Sequence, residues 1–186
     1  RTGDGRFGSK TFAAGGASSP AGVWQLVPPG SPAGLNMNVF AWAGDVVPFT
    51  MKSTSQFRTE GPPALSSPES AAEFNQVKAK GAKVGSTRSG AEDLLASFVT
   101  ANPVPYMNKG FRDIATVKGL TTAQQARFFA MTSMSSADAL IACFDDKYAW
   151  NFWRPQTAII NASRDGNPAT TADPNWLSLY PTPGYP

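Results

Sequence analysis

From residue 68 onward, apolar residues recur at steps of three and four, whereas no steady period runs through the chain before that point. Ala71, Phe74 and Val77, with Ala82 beyond, mark one face of a helix predicted over residues 68 to 80, with Ser67 as N-cap and Pro68 in the first helical position. Gly81 and Gly85 interrupt that pattern. A second helix is expected to begin at Ser86-Thr87, carry Ala91, Leu94, Leu95, Phe98 and Val99 as its apolar face, and end at Pro103. Met107, Phe111, Ile114 and Ala115 predict a third over residues 105 to 118, with Gly119 as its stop. Thr121 and Gln124 then form a capping-box pattern, and Ala123, Ala130, Met134, Ala137, Ile141, Phe144 and Tyr148 keep returning to one side of a long fourth helix. Phe128, Phe129, Met131 and Leu140 widen that stripe, which predicts burial on more than one face.

Residues 1 to 65 read differently. Pro28-Pro29-Gly30, Ser31-Pro32 and Gly61-Pro62-Pro63 punctuate them, so loops and turns are expected, and nothing supports a strand at Val46-Val47. Trp24, Phe40, Trp42, Phe49 and Phe57 are too many aromatics for a disordered tail, which predicts an ordered arm lying on the helical body. The fold expected is all-α: a helical bundle portion over residues 66–186 and a long irregular Gly/Pro-rich arm over residues 1–65.

Composition narrows the classes. The length suits one ordinary domain with a real core. Charged residues make up 16%, well below the usual quarter, and there are 17 glycines and 16 prolines. The net charge is only +3. The densest basic stretch, Lys78, Lys80, Lys83 and Arg88, has no interleaved aromatics, so it reads as a solvated face and nucleic acid is not an expected partner. Cys143 is the single cysteine, excludes an internal disulfide, and is expected to be a small buried thiol among Ala139, Leu140, Ile141, Ala142 and Phe144. No apolar run approaches the ~18 residues of a membrane span, and Arg1 to Arg6 lack a signal-peptide core. A soluble chain is expected; secretion is left open, since a removed leader leaves no trace, and Asn161-Ala162-Ser163 is a lone sequon.

The candidate chemistry lies in Lys147-Tyr148-Ala149-Trp150-Asn151-Phe152-Trp153-Arg154-Pro155. Seven helical residues advance about 10.5 Å and return to within about 20° of two full turns, so Lys147 and Arg154 can face one side. Arg offers a planar fork of donors to a tetrahedral oxyanion, and Lys a compact movable charge. Pro155 disfavours helical geometry at Arg154. Two arrangements are therefore open: both cations on one helix with Arg154 at its frayed end, or Arg154 in a joint before a short helix over 156 to 163. The chain has no histidine, so it cannot build a Ser-His-Asp triad.

The Lys, six residues, Arg-Pro pattern resembles the first of three signature motifs of the superfamily joining vanadium-dependent haloperoxidases with type 2 phosphatidic acid phosphatases. Ala126-Arg127-Phe128-Phe129-Ala130, Ala137-Asp138-Ala139, Thr157-Ala158-Ile159, Asp165-Gly166-Asn167-Pro168, Asp173-Pro174-Asn175-Trp176 and Pro181-Thr182-Pro183 are similar to the soluble haloperoxidase-like branch. The resemblance implies a vanadate cofactor, hydrogen peroxide and halide for a peroxidase, with Lys147 also polarising peroxide, or a phosphate monoester without cofactor for an acid phosphatase. It implies catalytic and oxyanion-binding roles for Lys147 and Arg154 alone. The family's second motif, Ser-Gly-His, and its third, with Ser-Arg followed by His, are not in this sequence.

The chain is accordingly expected to be the N-terminal portion of such a protein. Its histidines would come from the remaining C-terminal part or a complementary chain, and without them the chain is expected to be inactive. A non-catalytic structural or interaction module with the same helical body is the rival reading. Phe144 reads as a core aromatic before it reads as a halide or substrate wall. Asp165-Gly166-Asn167 reads as a turn, because the twelfth position of a calcium loop would be Trp176. Asp145 and Asp146 read as solvated charges, or as partners for Lys147 and nearby arginines, before they read as general acids or bases.

Overall fold

The computed structural model describes residues 19–25, 40–183 and 185–186. The turns expected at Pro28-Pro29-Gly30 and Ser31-Pro32 lie outside them. The described residues form a 3₁₀ helix, Ala41–Asp45, and five α-helices: α1 (Pro68–Gly81), α2 (Gly90–Thr100), α3 (Pro103–Val117), α4 (Thr122–Trp150) and α5 (Pro155–Ile160). A second 3₁₀ turn, Ala162–Arg164, follows α5. The architecture is all-α. Among the described residues there is no strand, only isolated bridges between Val23 and Phe152 and between Ala82 and Ser178.

Caps explain the boundaries. The Ser67 hydroxyl accepts the Ser70 N–H at the start of α1, where Pro68 sits in the first turn. The reciprocal capping box at α4 is the one expected, between Thr121 and Gln124. Another, between Ser89 and Glu92, starts α2 at Gly90, later than the Ser86-Thr87 start expected from apolar spacing. The Ser86 hydroxyl is instead turned back onto the Ala79 and Lys80 carbonyls at the end of α1. Pro103 does more than stop α2: with Asn102 as N-cap it opens α3.

Two packing centres position the rest. Ala82, Ile159 and Trp176 form a buried cluster flanked by Phe74, so α1 lies on α5. The Trp176 indole donates to the Lys78 carbonyl at 3.0 Å, which satisfies its one polar atom. On α4, the buried positions Asp138, Ile141 and Phe144 step by three along one face against the 3₁₀ helix, whose Ala41 and Ala43 are buried. Asp138 is 3% exposed, and its carboxylate accepts the Phe49 N–H (2.6 Å), the Thr50 N–H (2.7 Å), the Thr50 hydroxyl (2.6 Å) and the Met51 N–H (3.1 Å). Burial works to raise its pKa, but these donors prevail and hold it at about 2.

Several expectations are corrected. Leu94, Leu95, Phe98 and Val99 of α2 are each more than half exposed, because little of the described chain covers that face. The wider stripe of α4 is covered only in part: Phe128 and Phe129 are half-buried, with Phe128 against Phe111 of α3, whereas Met131 and Leu140 are about half exposed. Cys143 is exposed, since it projects away from the Asp138–Ile141–Phe144 face. Of the arm aromatics, Trp24 is fully buried, but Phe49 and Phe57 are exposed. The basic stretch is tied down rather than simply solvated: Lys78 donates to the Thr171 carbonyl, Lys80 pairs with Glu92, and Arg88 pairs with Asp93 and donates to the Ala82 carbonyl.

Candidate oxyanion site

Lys147 stands in the last turn of α4, and Arg154 is the N-cap residue of α5. The joint between the helices is therefore the second of the two open arrangements, and Pro155 is the first residue of α5. Asn151 ends α4 in the left-handed conformation (φ 48°), where its N–H donates to the Lys147 carbonyl. Arg154 is extended (φ −74°, ψ 153°), as a residue before proline prefers.

The arm sets the path of this joint. The Trp24 N–H donates to the Asn151 carbonyl and the Trp153 N–H to the Gly22 carbonyl, both at 2.8 Å, and Gly22 itself needs φ +86°. With the Trp24 side chain wholly buried, residues 22–24 clamp the segment Asn151-Phe152-Trp153 that carries Arg154 out of α4. A second arm segment closes the other side. Gly61, at φ +95°, lies so close to the Trp150 ring that an added Cβ would come within 2.8 Å of it.

Lys147 and Arg154 line one cavity of about 280 Å³, together with Thr59, Asp146, Trp150 and Trp153. Both cations lie near the Tyr185 ring, its centroid 4.6 Å from Lys147 Nζ and 4.4 Å from Arg154 Cζ, so the two charges stand no more than about 9 Å apart. Lys147 Nζ is also 5.3 Å from the centroid of Phe144, whose ring meets Tyr185 edge-on at 5.1 Å. Phe144, read from the sequence as a core aromatic, is buried and also forms part of the wall beside Lys147.

Neither adjacent acid neutralises Lys147. Asp145 pairs with Arg58 at 2.6 Å and accepts from the Thr54 hydroxyl, while Asp146 accepts from the Thr59 N–H, the Thr59 hydroxyl and the Trp150 indole. Both fasten the arm to α4. Lys147 forms no ion pair among the described residues. Burial, then repulsion from Arg154, holds its pKa below the ordinary lysine value. Burial also pushes Arg154 down and pushes Tyr148 up to about 12. Arg154 Nε donates to the Tyr185 carbonyl at 2.6 Å, but its Nη2 is buried with no acceptor among the described residues.

Residues 127–186 match the family model of the VCPO second helical-bundle domain. This segment is vanadium haloperoxidase-like. It takes in most of α4, the joint and α5, and so includes Lys147, Arg154 and Tyr185; helices α1, α2 and α3 precede it. No curated protein and no solved structure gives a significant match to the chain.

The structure brings the candidates Lys147 and Arg154 to one cavity and sets beside them Tyr185, Gly61 and the residue 22–24 clamp, which the sequence did not mark. Gly61-Pro62-Pro63 was visible as punctuation. Nothing in local periodicity marks a tyrosine 31 residues beyond Arg154 as the ring that both cations approach.

Proposed function

We propose that this chain belongs to a vanadium haloperoxidase-like protein, in which Lys147 and Arg154 bind the vanadate or phosphate oxyanion. The observation that carries this reading is the Arg154 Nη2 group, buried without an acceptor beside a lysine that has no counter-ion among the described residues. A buried guanidinium donor left unmade costs about 1–3 kcal/mol, and an oxyanion oxygen supplies the acceptor it lacks. The same anion brings negative charge between two mutually repelling cations, which offsets the desolvation of both. The residues therefore suit a tetrahedral oxyanion.

Vanadate, when bound, supplies the centre at which peroxide oxidises halide. In this chain, Arg154 holds the oxyanion through directed hydrogen bonds and Lys147 adds a movable positive charge. These 186 residues contain no histidine, so any histidine function in such a reaction is supplied from outside them. The exposed Leu94, Leu95, Phe98 and Val99 face supports such a partner, since a bundle normally buries a stripe of this kind. An acid phosphatase would use the same two cations, and the Lys and Arg pair suits either oxyanion.

Calorimetric titration with orthovanadate and inorganic phosphate tests the site. Arg154→Ala is expected to weaken binding at least tenfold and Arg154→Lys to recover only part, because an ammonium lacks the fork. Equal affinity of the Arg154→Ala variant and the wild-type chain removes Arg154 from the site.

A further inference from the structure

A second cavity of about 210 Å³ lies between α1, α5 and the 62–65 segment. Leu65, Phe74, Val77, Phe152, Ala158 and Ile159 supply most of its apolar wall. It shares Pro62, Phe152, Trp153 and Pro155 with the oxyanion cavity, so the two adjoin at the joint that carries Arg154. Its volume falls below the roughly 300–1,000 Å³ of drug-sized sites and suits one ring with a short side chain.

The charged groups on its lining have a single sign. Glu73 and Asp165 line it, and no lysine or arginine does, although basic residues outnumber acidic ones in the chain. Both Asp165 oxygens are engaged, one by the Asn167 N–H and one by the Thr170 hydroxyl, each at 2.7 Å. Glu73 has no hydrogen bond or ion pair among the described residues, and it stands one helical turn before Val77 on α1. The Ser70 hydroxyl, which forms no hydrogen bond among the described residues, adds a second polar group on the same helix. An apolar slot with carboxylates at its edge selects for a ligand that is apolar in body and cationic at one end, and it disfavours anions.

We propose that this cavity binds a small aromatic ammonium compound, with its ring against Phe74, Phe152 and Ile159 and its ammonium group beside Glu73. This site is separate from the oxyanion pocket and does not depend on it.

Proton–nitrogen correlation spectra of the chain, titrated with 2-phenylethylamine, 2-phenylethanol and 3-phenylpropionate, test the proposal. The amine is expected to move the Trp153 indole signal and α1 amides in a saturable way and to bind at least fivefold tighter than the alcohol. The carboxylate is expected to bind weakest. Glu73→Gln, a change on an exposed position, should bring the amine down to the affinity of the alcohol while leaving the alcohol unchanged. Absence of saturable binding, equal affinity for all three compounds, or an unaltered amine affinity in Glu73→Gln overturns the assignment.

Discussion

Arg154 gives one guanidinium donor to the Tyr185 carbonyl at 2.6 Å while its Cζ lies 4.4 Å from the centroid of the same residue's ring. One residue thus holds Arg154 through both backbone and side chain. The ring also faces Lys147 Nζ and meets Phe144, so it relieves two cations at once without neutralising either. Tyr185→Phe keeps the ring and should leave stability within about 0.5 kcal/mol of wild type. Tyr185→Ala removes two cation–π contacts and an aromatic pair, and should cost about 1–3 kcal/mol in urea unfolding. Equal stability of the Ala and Phe variants would show that the ring does not hold the cations.

Lys147 gives a pH dependence of definite sign. Its folded pKa lies below the ordinary 10.5, chiefly through burial and then through Arg154. Between that lowered value and 10.5 the unfolded chain binds more protons, so this group makes the ligand-free protein more stable as pH rises through that window. Oxyanion binding runs the other way, because it needs the ammonium form. Phosphate and vanadate affinity should fall as pH rises through the folded pKa, and Lys147→Arg should flatten that fall. Calorimetry across pH 7 to 10, corrected for the oxyanion's own titration, measures it. An identical pH profile in Lys147→Arg would exclude Lys147 as the titrating group.

Absence of histidine leads to a separate expectation. Residues 1 to 186 alone should show neither halide oxidation nor phosphatase turnover above the uncatalysed rate, even when vanadate or phosphate binds. Oxidation of bromide by peroxide and vanadate, and hydrolysis of a chromogenic phosphate ester, are the two assays. Robust turnover in either by this chain alone contradicts a mechanism that needs the family's histidines.

Local chemistry made much of the helical scaffold legible in the sequence. Ser67-Pro68, Thr121 with Gln124, Gly119 and Arg154-Pro155 are signals that act within one turn, and each marks a real boundary. What periodicity could not say is which apolar faces are covered. Leu94 and Phe98 keep helical spacing whether or not anything packs on them, and Cys143 is surrounded in sequence by apolar residues that project from other sides of α4. Its exposed thiol should react with a disulfide reagent in the folded chain at close to the denatured rate. Within the site, the Lys147 and Arg154 spacing was readable. The Trp24–Asn151 and Arg154–Tyr185 hydrogen bonds were not, because they join residues far apart in sequence through backbone atoms common to every residue type.

Asp138 shows how a polar residue within an apolar stripe can organise the arm. A buried carboxylate on the core face of α4 is costly unless donors surround it, and residues 49–51 provide three backbone N–H groups and one hydroxyl. Because these donors depress its folded pKa to about 2, below the unfolded aspartate value, its contribution to stability is complete above about pH 4. That contribution is lost as pH falls through about 2, where the protonated acid can no longer accept from all four donors. Asp138→Ala should remove this acid-labile component at once, lower the thermal midpoint by several degrees at pH 7, and release the Thr50 and Met51 amides to exchange. Hydrogen exchange resolved by residue checks it: unchanged protection of those amides in Asp138→Ala would mean that the 49–51 segment is held to α4 by other contacts.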